Sequence, residues 1–247
     1  MTLAFSSLHR SQRFALGFWL TATLLTGILF TPTTQAQTIN HVDAMFSLQY
    51  NNKVTDGENR LKIQRDQNQY HVTFALDHWM SQATQKADFI MKDCQVQPQH
   101  YSSTTKRPLK AAIEQRLGFD WQTRQAHYQD NDEQKNFDLQ TTLYDPLSFF
   151  FEARCDLIAG KTQLSYPLIY KGKQKTHTYV VIGKEKVETG QGVVDALVVE
   201  RQRSSKNRKT QLYVAPELDY LLVKIVHQES RLATVTATLQ HMDYQVQ

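Results

Sequence analysis

The sequence has no GxSxG elbow and no HExxH pair, and its glycines are too scattered to form a phosphate-binding loop or a dinucleotide fingerprint. Nine glycines and six prolines leave no room for a flexible linker, and no repeat or low-complexity tract divides the chain. There are only two cysteines, Cys94 and Cys155, too few to hold zinc unaided. The histidines fall at no metal-ligand spacing. Most alternate with apolar residues, which reads as solvent-facing positions on strands. No metal and no cofactor is expected. Asp43, Asp77, Asp88, Asp120 and Asp138 are scattered along the strand pattern without a recognisable partner. Hydrolysis is therefore the weakest functional reading.

What is present begins with the N-terminus. Arg10 and Arg13 precede seventeen uncharged residues, Phe14 to Phe30, and then "TPTTQAQ", with Thr34 and Ala36 at the -3 and -1 positions of a cleavage site. A basic start, an apolar run and small residues in that order read as a secretory signal peptide over residues 1–36, cleaved after Ala36. No cysteine stands at the cleavage site, which argues against a lipid-anchored lipoprotein. The expected location is the periplasm. Removing the segment takes away two arginines and lowers the formal charge from +4 to +2, so the basic balance is a weak argument for a polyanionic partner. Export itself argues against nucleic acid.

Residues 37–247 form one expected domain. The hydrophobic period is mostly two from His41 onward, with turn residues at hairpin spacing, for example Asp56-Gly57 and the polar "NDEQKN". About ten to twelve strands in an antiparallel meander are predicted. Cys94 and Cys155 form an even pair in an oxidising compartment, which favours a disulfide over two buried free thiols.

One stretch breaks the pattern. "YDPLSFFFEARCDLIAG", from Tyr144 to Gly160, has Asp145 as a cap, Pro146 for the first helical position and Gly160 for a left-handed residue past the end. Leu143, Leu147, Phe150, Phe151, Arg154, Leu157 and Ile158 share a face, which Phe149 widens. No second helix is available to cover this apolar stripe, and a long meander curls as strands are added. The fold expected is mainly β: a curved antiparallel sheet, an incomplete barrel, with one apolar helix on its concave side.

The helix "LYDPLSFFFEARCDLIAG", with Asp145, Leu147, Ser148 and Gly160, is followed by Glu185, Thr189 and Gly192 in "IGKEKVETGQG". Arg201 and Arg203 come next, and then Lys209, Thr210, Glu217 and Asp219 in "RKTQLYVAPELD". This series resembles the bacterial envelope family DUF3108, a domain of unknown function. The resemblance implies a periplasmic protein and, more loosely, the curved-sheet-plus-helix architecture of the Lol lipoprotein carriers. It implies no activity.

Two functions from different classes remain. In the first, the concavity binds a lipid, an acyl chain or a lipoprotein through Leu147, Phe149, Phe150, Phe151, Leu157 and Ile158. The basic run Arg201, Arg203, Lys206, Arg208 and Lys209 would then touch an anionic headgroup or membrane surface. In the second, the interior is a packed core and the protein is an envelope factor acting through protein contacts.

Overall fold

The computed structural model describes residues 37–78, 81–205 and 207–247. The expected signal peptide and Lys206 lie outside the described residues. The chain runs through β1 (Ile39–Tyr50), β2 (Lys53–Asp66), β3 (Gln69–His78), β4 (Ser81–Lys92), β5 (Gln95–Arg107), β6 (Lys110–Asp120), β7 (Gln125–Asp130) and β8 (Gln134–Asp138). After α1 (Phe149–Ile158) it continues as β9 (Gln163–Tyr170), β10 (Lys173–Thr189), β11 (Gly192–Arg201), β12 (Lys209–Ala215), β13 (Leu221–Ser230) and β14 (Ala233–Val246). A 3-10 turn, Pro216–Leu218, separates β12 from β13. The count passes the expected number partly because β8, five mostly polar residues, carries no alternation to read.

Alternation drives the strands. In β1, Val42, Ala44, Phe46 and Leu48 are buried, while Asp43, Met45 and Ser47 face the other way. The β1–β2 turn falls at Asn51 and Asn52, both left-handed, a pairing that two-residue hairpin turns favour. It does not fall at Asp56-Gly57, as expected from the sequence. Gly57 lies within β2, where a Cβ would sit 2.4 Å from the Asp77 carbonyl oxygen of β3. That glycine serves close strand approach rather than chain reversal.

All fourteen strands belong to one antiparallel sheet in the order β8-β7-β6-β5-β4-β3-β2-β1-β14-β13-β12-β11-β10-β9. From β1 in the middle of the sheet the chain therefore meanders to one edge, crosses by α1 to the other edge, and meanders back to the middle. β8 and β9 do not pair, so the barrel is not closed by hydrogen bonds. The crossing segment lies along β9 instead: the Tyr144 amide donates to the Pro167 carbonyl at 2.9 Å, and the Ile169 amide donates to the Tyr144 carbonyl at 2.9 Å.

Successive antiparallel strands put alternate turns at opposite ends of the sheet, and α1 is tied to one end at three points. The Cys94–Cys155 disulfide joins it to the β4–β5 turn, with Cα atoms 6.0 Å apart. Arg154 Nε donates to the Asp219 carbonyl of the β12–β13 turn at 2.6 Å. At the start of β9, the Tyr166 hydroxyl donates to Asp156 at 2.6 Å. Glu152 is anchored as well, accepting from the Tyr144 hydroxyl at 2.6 Å. The helix closes this end as a floor.

The helix begins later than the sequence suggests. Asp145 Oδ1 accepts from the amides of Leu147 and Ser148 at 2.8 and 2.9 Å, capping a turn that leads into the helix, and Ser148 occupies the N-cap position. Gly160 is left-handed past the C-terminus, as the sequence predicts, and its amide donates to the Leu157 carbonyl at 3.0 Å. The buried face is broader than a stripe. Phe149, Phe151, Ala153, Arg154, Cys155 and Leu157 are all buried, whereas Phe150 and Ile158 are half-buried.

Candidate ligand cavity

Phe151 packs 4.6 Å from the ring of Phe89 on β4 and 5.3 Å from that of Tyr70 on β3. Phe149 turns to the other half of the sheet, 5.6 Å from Tyr179 on β10 and 5.7 Å from Tyr166 on β9. Two phenylalanines separated by one residue thus engage opposite walls. Leu147 and Phe150 face the space between those walls, and this space is a cavity of about 580 Å³. The volume falls in the range of small-molecule sites.

Of the six helix residues expected to bind a ligand, Leu147, Phe149, Phe150 and Phe151 line this cavity. Leu157 and Ile158 are not part of its lining. They sit a turn or more further along the helix than Phe151. The walls add Leu48, Leu61, Ile63, Phe74 and Leu212, all from inward positions of the strands.

The polar part of the lining differs between the two halves of the sheet. On β4, β5 and β6 it is neutral and self-satisfied: the Tyr101 hydroxyl donates to Gln85 at 3.1 Å, and Ser103 donates to Gln115 at 3.3 Å. On β10 to β13 it is basic. Tyr179 stands opposite Arg201 across β10 and β11, and Thr210 stands opposite His227 across β12 and β13. Thr210 Oγ1 lies 2.9 Å from His227 Nδ1 and accepts from Arg203 at 3.1 Å.

His177, on β10, is 4 % exposed and lines the cavity, contrary to the solvent-facing reading. Its ring lies 5.5 Å from that of Tyr170. Burial, reinforced by the positive charges of Arg201, Arg203 and Lys175, pushes its imidazole down to about 4. Burial likewise holds the Arg201 guanidinium below the usual arginine range and pushes the Tyr179 hydroxyl up to about 12.

The basic run divides between the cavity and the outside. Arg201 lines the cavity. Arg208 is exposed and paired with Glu229 at 2.7 Å, and Lys209 is paired with Glu200 at 3.0 Å. Each of these two charges has a carboxylate counterion. The acidic residues do not converge on a reaction site. Asp43 pairs with Arg60, Asp88 with His71, and Asp138 accepts from Gln125.

An open antiparallel sheet wrapped around an apolar cavity, floored by a disulfide-anchored helix, defines a β-barrel-like protein with an internal compartment. Residues 45–240 match the family model described as "Protein of unknown function (DUF3108)", and the chain belongs to that family. Among solved structures, the chain is similar to a β-barrel-like protein of domain of unknown function DUF1849 from Brucella abortus. The TM-score is 0.53 at 9% identity, covering 84% of this chain and 99% of that one, so the likeness is one of fold alone. No curated protein matches the sequence.

Proposed function

We propose that the protein is exported to the periplasm and there binds an amphiphile, placing its acyl chain in the cavity between sheet and helix. The observation that carries this reading is the cavity of about 580 Å³ with Leu147 and Phe150 at its floor and aliphatic side chains on its walls. Each buried CH₂ contributes about 0.8 kcal/mol, so a chain of eight to ten methylenes offsets the cost of capture. The Cys94–Cys155 bridge supports export, because such bonds persist in oxidising compartments. N-terminal sequencing of the exported protein is expected to begin at Gln37.

Titration with the neutral apolar fluorophore N-phenyl-1-naphthylamine tests the cavity. Saturable binding is expected, and Phe150→Trp, which fills the space above the floor, weakens it. Absence of saturable binding, or an affinity unmoved by Phe150→Trp, sinks the reading in favour of a packed envelope factor.

A further inference from the structure

The described residues that line the cavity include Arg154, Lys171, Arg201, His177 and His227, and no aspartate or glutamate. Of the three permanent cations, Arg154 is matched by Asp219, 3.7 Å away. Among the described residues no carboxylate pairs with Lys171 or Arg201. His177 Nε2 is buried without a hydrogen-bond partner, and so is Nε of the neighbouring Arg203. Arg201 and the buried His177 Nε2, unmatched beside an apolar space, gain most from an anion that enters with its own apolar tail, and Lys171, exposed and 5.4 Å from the Tyr170 ring centroid, adds positive charge at the rim.

Their position is as telling as their number. Arg201 ends β11 and Lys171 follows β9, both at the end of the sheet opposite the α1 floor. A molecule with its tail on Leu147 and Phe150 therefore presents its head to Arg201, Lys171 and the His177 edge.

From this arrangement we infer that the ligand is an anionic amphiphile whose carboxylate or phosphate head is held inside the cavity by Arg201 and Lys171, with His177 beside it and the tail running down to the helix. The inference rests on the amphiphile reading and narrows it. An acyl chain joined to a protein through an ester or amide brings no charge to these groups, whereas a free acid or an alkyl phosphate does. The exposed pairs Arg208–Glu229 and Lys209–Glu200 lie outside this site.

Displacement of the bound naphthylamine probe at about pH 8, where a fatty acid in water is ionised, separates the possibilities. Dodecanoate and dodecyl phosphate are expected to displace it at concentrations about tenfold or more below those needed for methyl dodecanoate, the difference expected from charge-assisted hydrogen bonds. Arg201→Gln is expected to remove most of that preference while leaving the methyl ester unaffected. Lys171→Gln, at an exposed turn, removes part of it, and Lys184→Gln, exposed and outside the cavity lining, removes none. Equal displacement by acid and ester overturns the headgroup site while leaving the cavity reading intact. Calorimetric binding of inorganic phosphate as tight as that of dodecyl phosphate overturns the role of the tail. A probe that never binds overturns both.

Discussion

Gly172, in the turn that follows β9, lies against the ring of Tyr128 on β7: a Cβ at Gly172 would stand 2.8 Å from Tyr128 Cε1. These two residues bring the two edge regions of the sheet together where hydrogen bonding does not. Gly172 is also left-handed, with φ +62°. Gly172→Ala combines backbone strain with displacement of the ring, and a loss of about 1–2 kcal/mol is expected by urea unfolding. Gly118→Ala on β6 is the control. Nothing lies within 4 Å of its added Cβ and its φ is not left-handed, so a change near zero or a slight gain is expected. Equal losses at both positions would refute the edge contact.

Phe151 and Phe150 are adjacent but should respond differently. Phe151 is 6 % exposed and wedged between Phe89 and Tyr70, so Phe151→Ala is expected to cost about 3–5 kcal/mol. Phe150 is half-buried and borders open cavity. Its truncation removes fewer contacts, and a loss below about 2 kcal/mol is expected, with the larger effect on probe binding. Denaturation midpoints of the two variants check the order.

The neutral imidazole of His177 makes stability depend on pH. Its value is about 4 in the folded protein and about 6.5 when exposed, so between these limits the unfolded chain holds the extra proton. Stability is full above about pH 6.5 and falls as pH drops toward 4, by an amount on the order of 2 kcal/mol across the window. Urea midpoints at pH 7 and pH 4.5 are expected to drop further for the native protein than for His177→Phe, which does not titrate. Parallel drops would mean that His177 reaches water.

Breaking the disulfide tests the anchoring of the floor. Cys94 and Cys155 are 61 residues apart, and closing a loop of that length contributes about 4 kcal/mol in the chain-entropy model. The double variant Cys94→Ser, Cys155→Ser is expected to lose about that much stability and to weaken probe binding, because the covalent tie of the helix to the β4–β5 turn is then gone and Glu152 holds the start of β5 only by a contact of 3.4 Å to the Val96 amide. Unchanged probe affinity would show that the floor holds without the bridge.

Much of the fold was legible because β1, β3 and β6 alternate strictly enough to show both strand and parity, and because the helix is a single departure from that period, marked by Asp145 at one end and Gly160 at the other. The inner face of the second half was harder to read. In "GVVDALVVER" apolar residues occupy both parities, so nothing in the string tells whether Arg201 points into the cavity or away from it. His177 shares its parity with Tyr179, which points inward, but also with Lys175 and Lys173, which are exposed, so its burial depends on where the sheet begins to curl. Asp56-Gly57 has the chemistry of a turn, and only the approach of Asp77 shows why the glycine is needed within a strand. The pairing of Arg208 with Glu229, far apart in the chain, has no local signature at all.

The sheet order has a consequence for how the chain reaches its fold. Neighbours within each meander are joined by short turns, but at the centre Ser47 must find Thr238 across 191 positions of sequence, and Thr38 and Gln247 exchange backbone hydrogen bonds at 2.9 and 2.8 Å. The entropy of closing so long a loop is met only by that one seam, which makes it the slow step relative to the hairpins on either side. A circularly permuted chain, opened in the 139–148 connection and joined from β14 into β1, would keep every strand neighbour and make all of them consecutive, converting the most distant pairing in the molecule into one more hairpin.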